Sequence, residues 1–145
     1  MTHIINTNEV PNLRNNDMLF SHDKHGIIEW DKQKFELHVC EEDISWDDLM
    51  KYLESQKEKI PLNATVYDFL IKHPEEIPDE AKDTDEYIHF VGSILYCDHG
   101  RGFRAMDVRC MCFYKFHEDG RVSEITRITA LDGFRKGARI ALYRK

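Results

Sequence analysis

Four residues in the second half of the chain have side chains that could hold a metal ion: Cys97, His99, Cys110 and Cys112. Zinc sites place short ligand pairs, typically Cys-x2-4-Cys, on turns. Cys110-x-Cys112 instead falls in the middle of a strand-like run, whereas Cys97 and His99 fall at a loop. From Phe103 to Cys110 is roughly 23 Å at the usual strand rise, and Cys97 pairs near Phe103, so the four cannot converge within one sheet. Cys110 and Cys112 read as small core residues, and neither a metal nor another cofactor is expected. A nucleophilic cysteine beside a histidine fares no better. The expected hairpin register puts His89 across from Met111, on the face opposite Cys110, and Cys97 with His99 carries no family signature. Gly100-x-Gly102 lacks the strand-to-helix context of a phosphate loop and reads as a turn.

Two polar groupings remain. One consists of His89 and Ser93 on a first strand, Asp107 and Arg109 on a second, and Arg127 and Thr129 on a third. Asp, His and Arg within reach of one another can do acid–base work, but cross-strand charge pairing on a solvated sheet face uses the same residues. The other grouping, Tyr96, Tyr114, Glu124 and Thr126, interrupts the apolar parity of the same strands. Incomplete cover by helices would leave these four lining an apolar pocket, which is how small-molecule sites are built. They are the ligand-pocket candidates; no residue is assigned a catalytic role.

Both groupings depend on a meander of three antiparallel strands between Tyr87 and Leu131. From Met106 the even positions read Met106, Val108, Cys110, Cys112, Tyr114 and Phe116, and the odd ones Asp107, Arg109, Met111, Phe113 and Lys115. Side chains of one parity share a face, so one face is apolar and the other mixed. Asp119-Gly120 supplies hairpin chemistry. A three-residue loop there sets Phe116 opposite Val122, Phe113 opposite Ile125 and Cys110 opposite Ile128. Centring the earlier loop on Gly100 sets Ile94 near Met106 and Phe90 near Cys110.

Upstream, residues 1–20 show no sustained periodicity and read either as an ordered arm or as a flexible, frayed terminus. GIIEWDKQKFELHV, residues 26–39, reads as a hairpin or a strand after a turn. Ser45 followed by Asp48 is a helix start, and Trp46, Leu49, Met50 and Leu53 form an apolar stripe. Asn63 can cap a second helix with Val66, Phe69 and Leu70 inward, which Pro74 stops. Residues 73–86, HPEEIPDEAKDTDE, form an acidic connection with seven acids. Ile140 and Leu142 alternate in a last strand. The fold class is α+β: one domain spanning 1–145, with a bent antiparallel sheet and two helices packed on its apolar face.

At 145 residues with 41% hydrophobic and 32% charged content, the chain suits a single globular domain. No apolar run approaches the ~18 residues of a membrane helix, and the first residues lack a signal core. A cytoplasmic location without membrane contact is expected, and the spacing of the four cysteines is not that of a disulfide scaffold. The net charge of −7 conceals an asymmetry: residues 1–86 carry 21 acids and 9 bases, residues 87–145 carry 6 acids and 11 bases. An acidic protein with interleaved Glu and Asp is a poor nucleic-acid binder, so nucleic acid is not an expected partner.

The segment Val108 to Ile125, VRCMCFYKFHEDGRVSEI, resembles the late hairpin of the nuclear transport factor two-like fold, which includes polyketide cyclase-like and ketosteroid isomerase-like proteins. In those families two long strands are joined by a phenylalanine, acidic residues, glycine, a basic residue and a β-branched residue, matched here by Phe116, Glu118, Asp119, Gly120, Arg121 and Val122. The resemblance covers the last 60 residues or so and implies helices preceding a curved antiparallel sheet. The family usually opens with a long helix where this chain has a strand pattern, and the isomerases' catalytic constellation has no counterpart at matching positions. Fold does not carry function with it.

The expected function is a small ligand-binding or protein-interaction domain, taking a small apolar ligand and self-associating or meeting a protein partner through the face bearing Met111 and Phe113. A small isomerase or hydrolase using Tyr96, Tyr114 and Glu124 is the second expectation. An acidic inhibitor or adaptor, presenting residues 74–86 to a basic nucleic-acid-binding partner, is the third.

Overall fold

The computed structural model describes residues 2–10, 17–82, 88–98, 106–116, 122–129 and 133–145, with side chains at 2–10, 21–81, 88–94 and 133–145 among them. The class is α+β, with three α-helices and two sheets among the described residues. A small antiparallel sheet joins β1 (Ile4–Asn6) to β3 (Ile27–Glu29). The main sheet has seven strands. Its path runs β4 (Phe35–Val39), β9 (Arg139–Arg144), β6 (Ile88–Asp98), β7 (Met106–Phe116) and β8 (Val122–Thr129), and β2 (Asp17–His22) joins β6 while β5 (Lys59–Pro61) joins β9. All its pairings are antiparallel except β6 with β9, which run parallel at Ile88 and His89. No helix among the described residues is long and apolar enough to cross a membrane.

The helices form where the capping chemistry places them. α1 (Trp46–Ser55) starts at Ser45, whose Oγ accepts from Asp48 N at 3.1 Å. α2 (Ala64–Lys72) starts at Asn63, whose Oδ1 accepts from Thr65 N and Val66 N. A short α3 (Asp79–Lys82) follows a 3-10 turn at Pro74–Glu76. β9 is apolar on both parities, so it carries core on each side. Ile140 and Leu142 pack with Leu49 and Leu53 of α1, while Ala141 and Tyr143 pack with Val66, Tyr67 and Leu70 of α2. Each such leucine contributes about 2 kcal/mol by leaving water. The acidic connection is not wholly solvated, because Ile77 and Ala81 are buried in the α2-side core.

The expected meander is present, and Phe116 meets Val122 and Cys110 meets Ile128 as the loop chemistry requires. Irregularities between Cys110 and Cys112 and between Phe113 and Lys115 move Phe113 opposite Glu124 and Cys112 opposite Ile125. On the other side His89 meets Cys112 and Phe90 meets Met111, one residue away from the expected register, and Asp98 rather than Ile94 meets Met106. The cause lies at Gly92. There β6 leaves β9, accepts the chain end of β5 through Gly92 N to Leu62 O at 2.9 Å, and takes up β2 from Ser93 onward. A Cβ on Gly92 would lie 2.8 Å from Leu62 C, Leu62 O and Pro61 O, so only glycine allows the fork.

Within the first 20 residues, Ile4–Asn6 form β1 and Asp17 onward begin β2, with Ile5 and Thr7 buried. Of the two arrangements expected for residues 26–39, the strand after a turn is the one present: β4 follows a 3-10 turn at Lys32–Lys34, and β3 pairs with β1 and β4 with β9 rather than with each other.

Candidate functional site

The cleft lies where β4, β5 and β9 end together beside the Lys32–Lys34 turn. Asp31 caps that turn, with Oδ1 accepting from Gln33 N at 2.9 Å. Tyr143 ties the turn to β9: its hydroxyl donates to Glu29 O at 3.0 Å and accepts from Asp31 N at 3.1 Å. The Tyr143 ring stacks on Trp30 at 5.2 Å, and burial pushes its phenol up. These contacts hold Lys34 beside the chain's last strand.

Pairing of β5 with β9 sets Lys59 opposite Arg144. Glu36 of β4 bridges both cations, accepting from Lys59 Nζ at 2.7 Å and Arg144 Nε at 3.0 Å. Arg144 Nη2 also donates to Gln33 O at 2.6 Å. The hydrogen bond that Lys59 donates to the Glu36 carboxylate raises the ammonium above its ordinary pKa, so it stays charged throughout the physiological range. Exposed pairs of this kind add roughly 0–1 kcal/mol to stability; their larger effect is to hold the two cationic groups in one place.

Two cavities adjoin here and share Lys34, Arg144 and Lys145. The larger, about 650 Å³, is lined by Lys34, Lys57, Lys59, Arg144 and Lys145 against the carboxylates of Asp31 and Glu58. The smaller, about 380 Å³, adds Ile28, Ile60 and Tyr143 as an apolar floor, with His25 and Glu29 at its rim. In a chain of net charge −7 this is a local reversal of sign. It brings positive charge and an apolar surface together, the combination that binds an anion bearing a hydrophobic or aromatic part.

A second cluster of functional-looking groups is structural. His22 Nδ1 lies 2.7 Å from Ser93 Oγ, and His22 Nε2 lies 2.8 Å from Thr7 O. Thr7 O can only accept, which assigns the proton to Nε2 and makes Nδ1 the acceptor of the Ser93 hydroxyl. The pairing of serine with histidine suggests a nucleophile. However, Ser93 is fully buried and its oxygen already accepts from Ala64 N at 2.8 Å, at the start of α2. Asn63 completes the group, donating to Thr7 O at 3.0 Å and to Asp23 O at 2.9 Å. The cluster joins β1, β2, β6 and α2 and satisfies three N-terminal donors of that helix. Beside it, burial pushes the Asp23 carboxyl up against the opposing pull of His25, and lowers the His25 imidazole against the pull of Asp23.

Of the residues expected on a solvated polar face, His89 and Ser93 are both buried. Phe134, from the segment preceding β9, meets the His89 ring edge-on at 4.8 Å, and burial lowers the imidazole pKa to about 4. The face is covered because β6 lies inside the sheet, with core on both sides. Asp107, Arg109, Arg127 and Thr129 lie in β7 and β8, with Asp107 opposite Cys97 and Arg109 between Leu95 and Thr129. Tyr96 sits between Met18 and Val108 in the ladder, and Glu124 opposite Phe113. The side chains of these residues, of Tyr114 and Thr126, and of Met111 and Phe113, lie outside the described residues. His99 and the Asp119-Gly120 loop also fall outside them.

Lys34, Lys57, Lys59, Arg144 and Lys145 were not legible as a site. They come from three separated segments, and the only local signals are the KEK run at 57–59 and the terminal Arg-Lys. Comparison of the chain with protein-family models, with curated proteins and with solved structures finds no match in any of the three.

Proposed function

We propose that the protein is a binding domain for a small, multiply charged organic anion, held in the cleft between the Lys32–Lys34 turn and the adjoining ends of β5 and β9. The observation that carries this reading is the pair of adjoining cavities sharing Lys34, Arg144 and Lys145, one lined by five cations against two carboxylates and the other floored by Ile28, Ile60 and Tyr143. A phosphate-bearing or carboxylate-bearing head fits the basic lobe, where Arg144 can present further guanidinium hydrogens beyond those given to Glu36 and Gln33. A ring or short hydrocarbon fits over the apolar floor. The ligand proposed is amphipathic, and its place in the fold differs from that of the expected apolar pocket at Tyr96, Tyr114, Glu124 and Thr126. No catalytic step is assigned, because the serine–histidine pair is enclosed and serves α2.

Calorimetric titration with inorganic pyrophosphate and with a nucleoside diphosphate tests the reading. Both are expected to bind, the nucleotide more tightly because its ring reaches the floor. Affinity falls with rising salt, since half-exposed charges are screened beyond about 10 Å at 0.1 M. The Lys34→Glu and Lys145→Glu variants lose at least about tenfold, corresponding to one lost charge-assisted contact. Absence of binding at low salt, or unaltered affinity in both variants, overturns the reading.

A further inference from the structure

We propose a divalent transition-metal site, of the zinc class, formed by His3, His73 and Glu75 with Glu76 beside them. One ligand atom from each of His3, His73 and Glu75 lies within 4.8 Å of the other two. Ligand atoms around a tetrahedral ion at 2.0–2.1 Å stand roughly 3.4 Å apart, so rotation of the exposed Glu75 and the partly exposed His3 and His73 side chains by about 1 Å closes the set. His73 Nδ1 and Glu75 Oε1 already stand at 3.4 Å. Glu76 Oε1 lies 3.6 Å from His3 Nε2 and offers a further carboxylate as ligand or as orienting hydrogen-bond acceptor.

The backbone brings these residues together from opposite ends of the N-terminal half. Trp30 N donates to His3 O at 2.8 Å, fixing His3 at the start of the β1–β3 pair. His73 closes α2, its backbone N–H donating to Phe69 O at 2.9 Å. The Phe69 ring contacts both imidazoles, His3 at 5.1 Å and His73 at 4.7 Å, and so holds them on one side of the helix. The two imidazoles stand 4.7 Å apart between ring centroids. The last carbonyls of α2 add partial negative charge where the ion would sit. Two imidazoles with one or two carboxylates and no thiolate suit Zn²⁺, Ni²⁺ or Co²⁺ over Mg²⁺ or Ca²⁺. With His3, His73 and Glu75 as the three protein ligands, a fourth tetrahedral position is left for water or an anion.

The position is separate from the basic cleft, yet Thr2 and Glu76, the neighbours of His3 and Glu75, line a cavity of about 510 Å³ that shares Asp31, Gln33 and Lys34 with the cleft. The site also ties β1 to the end of α2, so an ion that binds only the folded chain raises its stability.

Titration of tag-free protein with Co²⁺, followed by its visible absorption and then by displacement with Zn²⁺, tests the site. One Co²⁺ is expected per chain, with nitrogen and oxygen ligation. His3→Gln and His73→Gln each weaken it at least about tenfold, and Zn²⁺ raises the melting temperature of the parent protein alone. No cobalt spectrum in the parent protein overturns the proposal. So does a spectrum unchanged in both variants, or an intense sulfur-to-cobalt band showing that cysteines hold the ion. Circular dichroism of each variant confirms that lost binding is not lost folding.

Discussion

Replacing His89 with leucine removes a group that the fold keeps uncharged, and the consequence can be read as a change in acid sensitivity. An imidazole in the unfolded chain titrates near 6.5, whereas burial against Phe134 lowers that of His89 to about 4. Between those values the unfolded chain takes up a proton that the folded chain refuses. Stability from this residue is therefore full above pH 6.5, falls as the pH drops, and levels off below about 4. At about 1.4 kcal/mol per pH unit the whole effect is about 3 kcal/mol, of which about 2 kcal/mol is lost by pH 5. Burial also raises the Asp23 carboxyl and lowers the His25 and His38 imidazoles, but these groups are present in both proteins. Urea denaturation of the parent protein and His89→Leu from pH 7 to pH 4 isolates the contribution. The parent should lose about 3 kcal/mol more than the variant over that range. A stability difference that stays constant with pH would show that the imidazole is as solvated as in the unfolded chain, and the burial of β6 on both faces would be refuted.

Two further substitutions probe the fork and the polar cluster. Gly92→Ala places a methyl 2.8 Å from the Leu62 and Pro61 backbone; it should cost about 1–3 kcal/mol or more in denaturant midpoint stability, and an unchanged midpoint would mean β5 does not approach β6 there. Asn63→Ala removes the α2 cap and leaves the carbonyls of Thr7 and Asp23 without a donor they now have; a loss of about 2–4 kcal/mol is expected by chemical denaturation, and a loss under 0.5 kcal/mol would remove the cluster's structural role.

The sequence carried local chemistry well and long-range pairing poorly. Ser45 and Asn63 announced two helices because a cap acts within three residues. Phe116 and Val122 announced their pairing because a short loop sets register. Register one loop earlier was lost at Gly92, where a β6 edge shared by β9, Leu62 and β2 shifts the ladder; the one trace within β6 is the glycine itself, which marks a close approach without saying that residues 62 and 22 make it. For the same reason His89 and Ser93 read as polar and therefore solvated, although each is covered by elements distant in sequence: Phe134 for the first, His22 and Ala64 for the second. The basic cleft was illegible because its cations are dispersed among acids and only the convergence of β4, β5 and β9 collects them. His3 and His73 are likewise neighbours only through the β1–β3 pair and the end of α2.

The most direct measurement is a ¹H–¹⁵N NMR titration of the intact protein with a nucleoside diphosphate at low salt. Saturable shifts are expected at Lys34, Lys57 to Ile60 and Tyr143 to Lys145, fading as salt is added, with the amides of Ser93 and Ala64 unmoved. Shifts confined to other parts of the sheet, or none at any concentration, would contradict anion binding at the cleft.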